Sequence, residues 1–126
     1  MLIKKATVAQ KLSVSSNSLD NWDDLPNPIQ SAALGKCRYY NAEQINGWLL
    51  SKIDRRPNKG AYLGDIQSEQ CIRMDGVQAI TGLSRSKIYA LISENAFPRQ
   101  VSIGQRTSVW LQSEVEGWLI KQSIRF

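Results

Sequence analysis

The chain repeats itself. Residues 77–91 read VQAITGLSRSKIYAL and residues 8–22 read VAQKLSVSSNSLDNW. At an offset of 69, Val77 falls on Val8, Leu83 on Val14, Ser84 on Ser15, Ile88 on Leu19, Leu91 on Trp22 and Gly104 on Gly35. At an offset of 70, Gly117, Trp118 and Leu119 fall on Gly47, Trp48 and Leu49. A match that survives one insertion inside a short loop reads as duplication. The 126 residues are thereby constrained to two units of roughly 50 residues, near the lower limit for independent folding. Either each unit closes a core around its own aromatics, or the two pack together.

The second copy has the clearer punctuation. Residues 71–74 form an extended entry, and Asp75 can cap a helix with Gln78 as its reciprocal partner. Gly82 suits the left-handed position that ends that helix. Leu83 turns inward, and Ser84 is a good N-cap for a second helix. Ile88, Leu91 and Ile92 make one apolar stripe, with Arg85, Ser86, Lys87 and Tyr89 mostly off it. Two short helices joined by a tight glycine turn are the mark of a helix-turn-helix. Asn95 to Pro98 breaks the second helix. Alternation over 99–103, a turn at Gly104–Thr107 and a return through Trp110 predict a small hairpin, or wing. Val115, Trp118 and Leu119 stripe a closing helix.

The first copy follows this plan less cleanly. Ser15 is the expected N-cap of its second helix, with Leu19 and Trp22 facing inward. Residues 23–28 read DDLPNP, a strong breaker. Gly35–Arg38 stands where the other wing tip lies. Asn41 is expected to cap the closing helix with Gln44 as reciprocal partner, and Ile45, Trp48 and Leu49 repeat the later stripe. The expected organisation is a degenerate module at 1–53, a linker at 54–70 and a second module at 71–126.

Charge suits an anionic partner. Sixteen Lys/Arg against eleven Asp/Glu give +5. Residues 1–60 hold nine against five, a net of +4, and residues 61–126 hold seven against six, a net of +1. There is no histidine, which removes histidine acid–base chemistry and histidine metal ligands. Cys37 and Cys71 have no CxxC partner, and zinc needs about four ligands. They read as free packing thiols of a reducing compartment, with a disulfide between them left open. No cofactor is expected. No cluster of nucleophile, base and oxyanion donors appears, so no enzyme is expected either. No segment reads as a signal peptide or a span of roughly 20 apolar residues, so the expected setting is the cytoplasm, on the nucleoid.

Residues 71–122 resemble the AlpA family. The resemblance rests on Met74–Val77, the run Gly82-Leu83-Ser84-Arg85-Ser86-Lys87-Ile88-Tyr89, Phe97-Pro98, Gly104-Gln105-Arg106, Trp110, and Ser113-Glu114-Val115-Glu116-Gly117-Trp118-Leu119. The first copy, residues 1–52, is similar to the broader MerR-like and excisionase-like class. It departs from the pattern at Ser13, where the turn glycine would stand, and at Ser16, where an arginine would follow the cap. Asp20 also lies on its second helix. The resemblance implies a mainly α fold with small β-hairpin wings, an α+β arrangement of tandem winged helix-turn-helix modules. It implies double-stranded DNA as partner. The chain would act as a transcription regulator or as an excisionase-like factor that bends DNA, working beside an integrase or associating with itself on DNA.

A helix with small polar and basic residues on its exposed face can enter the major groove. The candidate DNA contacts of the second copy are Ser84, Arg85, Ser86, Lys87 and Tyr89 on the helix, Arg99 beyond it, and Gln105, Arg106 and Thr107 at the wing. Those of the first copy are Ser15, Ser16, Asn17, Ser18, Lys36 and Arg38. Serines and wing residues suit phosphate contacts, which position without specifying. The alternative is a protein-binding adaptor whose first module docks a recombinase or a second subunit. Ser84 as a cap and the tryptophans as core need no function at all.

Overall fold

The computed structural model describes residues 1–57, 62–104 and 106–124. The first half contains β1 (Leu2–Lys4), α1 (Lys5–Leu12), 3-10 helices at Ser16–Asn21 and Ala32–Leu34, β2 (Tyr39–Asn41) and α2 (Ala42–Asp54). The second contains β3 (Cys71–Ile72), α3 (Met74–Thr81), α4 (Arg85–Ser93), β4 (Val101–Gly104), β5 (Thr107–Leu111) and α5 (Gln112–Ile124). The bounds of α1 and α3 coincide at the offset of 69, and those of α2 and α5 at 70. No helix among the described residues is long and apolar enough to cross a membrane.

β1 pairs antiparallel with β2, Leu2 opposite Asn41. The other sheet has the order β3-β5-β4, so β5 lies in the middle. Its two faces belong to different cores. Trp110, on one face, packs with Val77, Ile88, Ile92, Phe97 and Val115 from the helices of the second half. Val101, Ile103, Val109 and Leu111, on the other, join Val8, Leu12, Ile45, Leu49 and Ile53 of the first half. Strand alternation produces this division, since neighbouring residues point to opposite faces. Of the two arrangements open from the sequence, the halves pack together.

Polar groups reinforce that packing. Arg56 is only 8% exposed. Its guanidinium makes two bonds to the Glu114 carboxylate, at 2.7 and 3.1 Å, and donates to the Arg99 carbonyl at 3.1 Å. Glu69, 5% exposed, accepts from Tyr62 Oη at 2.7 Å and from the Ser113 amide at 3.1 Å. Gln70 Nε2 donates to the carbonyls of Gln10 and Lys11 at the end of α1. Within the expected linker, Arg56, Glu69 and Gln70 therefore tie to the rest of the fold.

Three local expectations need correction. The second helix of the first half is a single 3-10 segment, Ser16–Asn21, and Ser15 makes no capping hydrogen bond. Its sequence SNSLDN is rich in Ser, Asn and Asp, whose side chains compete with the helical backbone; Ser15 Oγ and Ser18 Oγ instead bond each other at 2.9 Å. The expected first-half wing is not a hairpin: β2 pairs with β1, and toward the breaker it meets only an isolated bridge between Ile29 and Tyr39. Pro26 and Pro28 supply no amide donor for a ladder. Finally, α3 starts at Met74 with Arg73 at its N-cap position, so Asp75 already lies inside the first turn. Its carboxylate accepts from the Gly76 amide at 2.9 Å.

Candidate nucleic-acid interface

α3 and α4 meet at a tight turn. Gly82 is left-handed, with φ of 74°, and its amide bonds to the Gln78 carbonyl at 2.7 Å. A side chain is disfavoured in that region, so glycine suits the position. Thr81 Oγ1 donates to the Val77 carbonyl at 2.8 Å and accepts from the Leu83 amide at 3.2 Å. Ser84 then caps α4, its Oγ accepting from the Lys87 amide at 3.1 Å. Its role as cap is thus visible; the serine is also exposed.

α4 is anchored by its apolar stripe. Ile88 and Ile92 are buried, and Leu91 packs against the same core. Arg85, Ser86 and Lys87 are exposed together in the first turn. Tyr89 is half-buried: its ring meets Trp110 edge-on at 6.2 Å, and the Arg85 guanidinium lies over it at 5.5 Å. That contact gives Arg85 a platform continuous with the core. The helix N-terminus also favours anions, and its early amides point outward.

The wing follows. Val101 pairs with Val109 and Ser102 with Ser108, while Gly104 pairs with Thr107 after a register shift. Arg106 is exposed with φ of 60°, a left-handed conformation uncommon for a residue with a side chain. Thr107 opens β5, half-buried. Gln105 lies outside the described residues. Arg99 is half-buried before β4, with its guanidinium 3.5 Å from Asn95 Oδ1.

In the first half the candidate residues are dispersed or engaged. Ser15 and Asn17 are exposed, and Ser16 and Ser18 half-buried, around the 3-10 segment. Asp20 accepts from Lys5 Nζ at 2.8 Å and lies 3.5 Å from Arg38. These cations hold its carboxyl below the usual range, chiefly through the Lys5 hydrogen bond. Arg38 thus already has an acidic partner, whereas Lys36 is exposed in the loop. Cys37 is exposed rather than packed, Cys71 is buried, and both are free thiols.

A cleft of about 970 Å³ lies where the wing meets the first half. Arg55, Arg56, Lys52, Asp24, Ser102 and Thr107 are among its lining residues. Trp22 stands at its edge, stacked on Trp48 with ring centroids 5.9 Å apart. A Cβ placed on Gly104 would lie 2.5 Å from Trp22 Nε1, so the tryptophan covers bare backbone at the wing. Sequence reasoning missed this junction. Arg55 and Arg56 read as linker charges, and nothing in their spacing separates the exposed one from the buried one.

Residues 70–123 match the family model of the prophage CP4-57 regulatory protein, AlpA. An uncharacterized protein of Enterobacteria phage P4, ORF88, is 47% identical over 57 residues, an alignment covering 45% of this chain and 65% of that protein. No solved structure matches the chain. The matched segment runs from the residue before β3 to near the end of α5, and it is AlpA-like.

Proposed function

We propose that this chain, with its AlpA-like segment at residues 70–123, is a double-stranded DNA-binding regulator in which α4 enters the major groove. The supporting observation is the exposed Arg85-Ser86-Lys87 turn, capped by Ser84 and held on a packed helix pair. Arg85 and Lys87 meet base edges or phosphates, and Arg106 with the rest of the wing meets the backbone. The wider organisation is a duplicated winged helix-turn-helix, one module at 1–53 and one at 71–126. Matching bounds of α1 with α3 and α2 with α5 support duplication. The 3-10 segment supports a first copy that has given up base readout. Regulation of transcription and an excisionase-like bending of DNA beside an integrase both fit such a surface, and the setting would be the nucleoid.

Titration of the intact chain with duplex DNA across a salt series tests this reading. Affinity should fall with a slope of log affinity against log salt of about −0.9 per phosphate contacted. No retention of any duplex at low salt would overturn it. Mapping occupied sites on the parent genome separates the two roles: attachment-site clusters favour excision, and promoters favour transcription.

A further inference from the structure

We infer that the cleft between the two halves holds a stretch of DNA phosphate backbone, with Arg55 and Arg99 as its cationic contacts; this rests on the DNA-binding reading above. The first half carries most of the net charge, yet its groups are not equally available. Arg38 is paired with Asp20, Lys52 with Asp24, and buried Arg56 with Glu114. Arg55 is exposed and lines the cleft, and half-buried Arg99, just before β4, lines it as well. Ser102 and Ser108 are also among its lining residues, and serine hydroxyls can donate to phosphate oxygens. A site for a compact organic ligand is mostly apolar, whereas this cleft is polar and open to solvent. Its wall also includes Gly104 and Thr107, so it continues from the wing. A strand contacted by the wing is thereby led past Arg55. The first half would contribute to binding through this junction and not through its counterpart of α4.

Asp23 also lines the cleft, and it provides a signature. A carboxylate beside a phosphate repels it, so Asp23→Asn should tighten duplex binding severalfold. Arg55→Ala and Arg99→Ala should each weaken it about tenfold at low salt and make the salt slope shallower by about 0.9. Lys121→Ser, on the exposed side of α5, controls for loss of one positive charge and should change affinity less. Arg55 is exposed, so its removal leaves the fold intact. Suppose Arg55→Ala and Arg99→Ala bind as the parent does while Arg85→Ala is weakened. The cleft then lies off the DNA, and the reading of α4 survives. Weaker binding by Asp23→Asn would also overturn the inference, as would Arg55-dependent retention of a poly-glutamate peptide without any Arg55 effect on DNA. If the parent chain binds no duplex, the DNA-binding reading fails first.

Discussion

Exposure and burial alternate within a few residues of α4. Arg85 and Lys87 are exposed, while Ile88, one position on, is fully buried. Arg85→Ala and Lys87→Ala should each weaken specific binding by about 1–3 kcal/mol wherever the side chain reads a base. Thermal unfolding should stay nearly unchanged, though Arg85→Ala also loses its stacking on Tyr89. Trp110→Ala should act first on stability. It removes a side chain 1% exposed, costing roughly 3–5 kcal/mol, a large part of a small protein's stability. Parallel melts by circular dichroism and binding titrations check both. If both α4 variants bind like the parent, another surface meets the groove.

Corresponding elements of the two halves reach the same end by different chemistry. At the start of α2, Asn41 Oδ1 accepts from the amides of Glu43 and Gln44, at 2.9 and 3.2 Å. The residue in its place before α5 is Leu111, which cannot accept. There the Glu69 carboxylate, arriving from outside the helix, takes the Ser113 amide, the counterpart of Glu43, and also Ser113 Oγ and Tyr62 Oη. Asn41→Ala should therefore cost about 1 kcal/mol, the ordinary loss of a cap. Glu69→Ala should cost more, roughly 2–3 kcal/mol, because it strands several part-buried donors. Denaturant titrations rank the two, and equal losses would count against the shared network. The Asn41 and Ser84 caps and the glycine turn were legible in the sequence, because each acts on neighbours within a few positions. The remote cap was not, since Glu69 and Ser113 are 44 positions apart. Nor was the 3-10 segment: Leu19 and Trp22 kept helical spacing, but the polar residues between them favoured other backbone bonds. Among the candidate residues, the exposure of Arg85, Ser86 and Lys87 was legible, because they lie off an apolar stripe. The engagement of Arg38 by Asp20 arises only through folding.

For the whole molecule, the covered sheet makes the halves depend on each other. Cys71 reports this directly. It is fully buried in the shared core, and burial pushes its thiol up to about 12. In the intact chain, iodoacetamide should label exposed Cys37 and spare Cys71 until unfolding. A fragment of residues 66–126 should instead expose Cys71 and the apolar face of Val101, Ile103, Val109 and Leu111. Cys71 protection equal to that of the intact chain would show that the second half closes without the first. Synthesis runs from the N-terminus, so the order of manufacture acquires a cost. Val8, Leu12 and Leu49 leave the ribosome long before Val101–Leu111 arrive to cover them. Over that interval the nascent first half presents an unfinished apolar surface, the kind of surface that invites aggregation. The second half, made after the first, completes its companion's fold as well as its own.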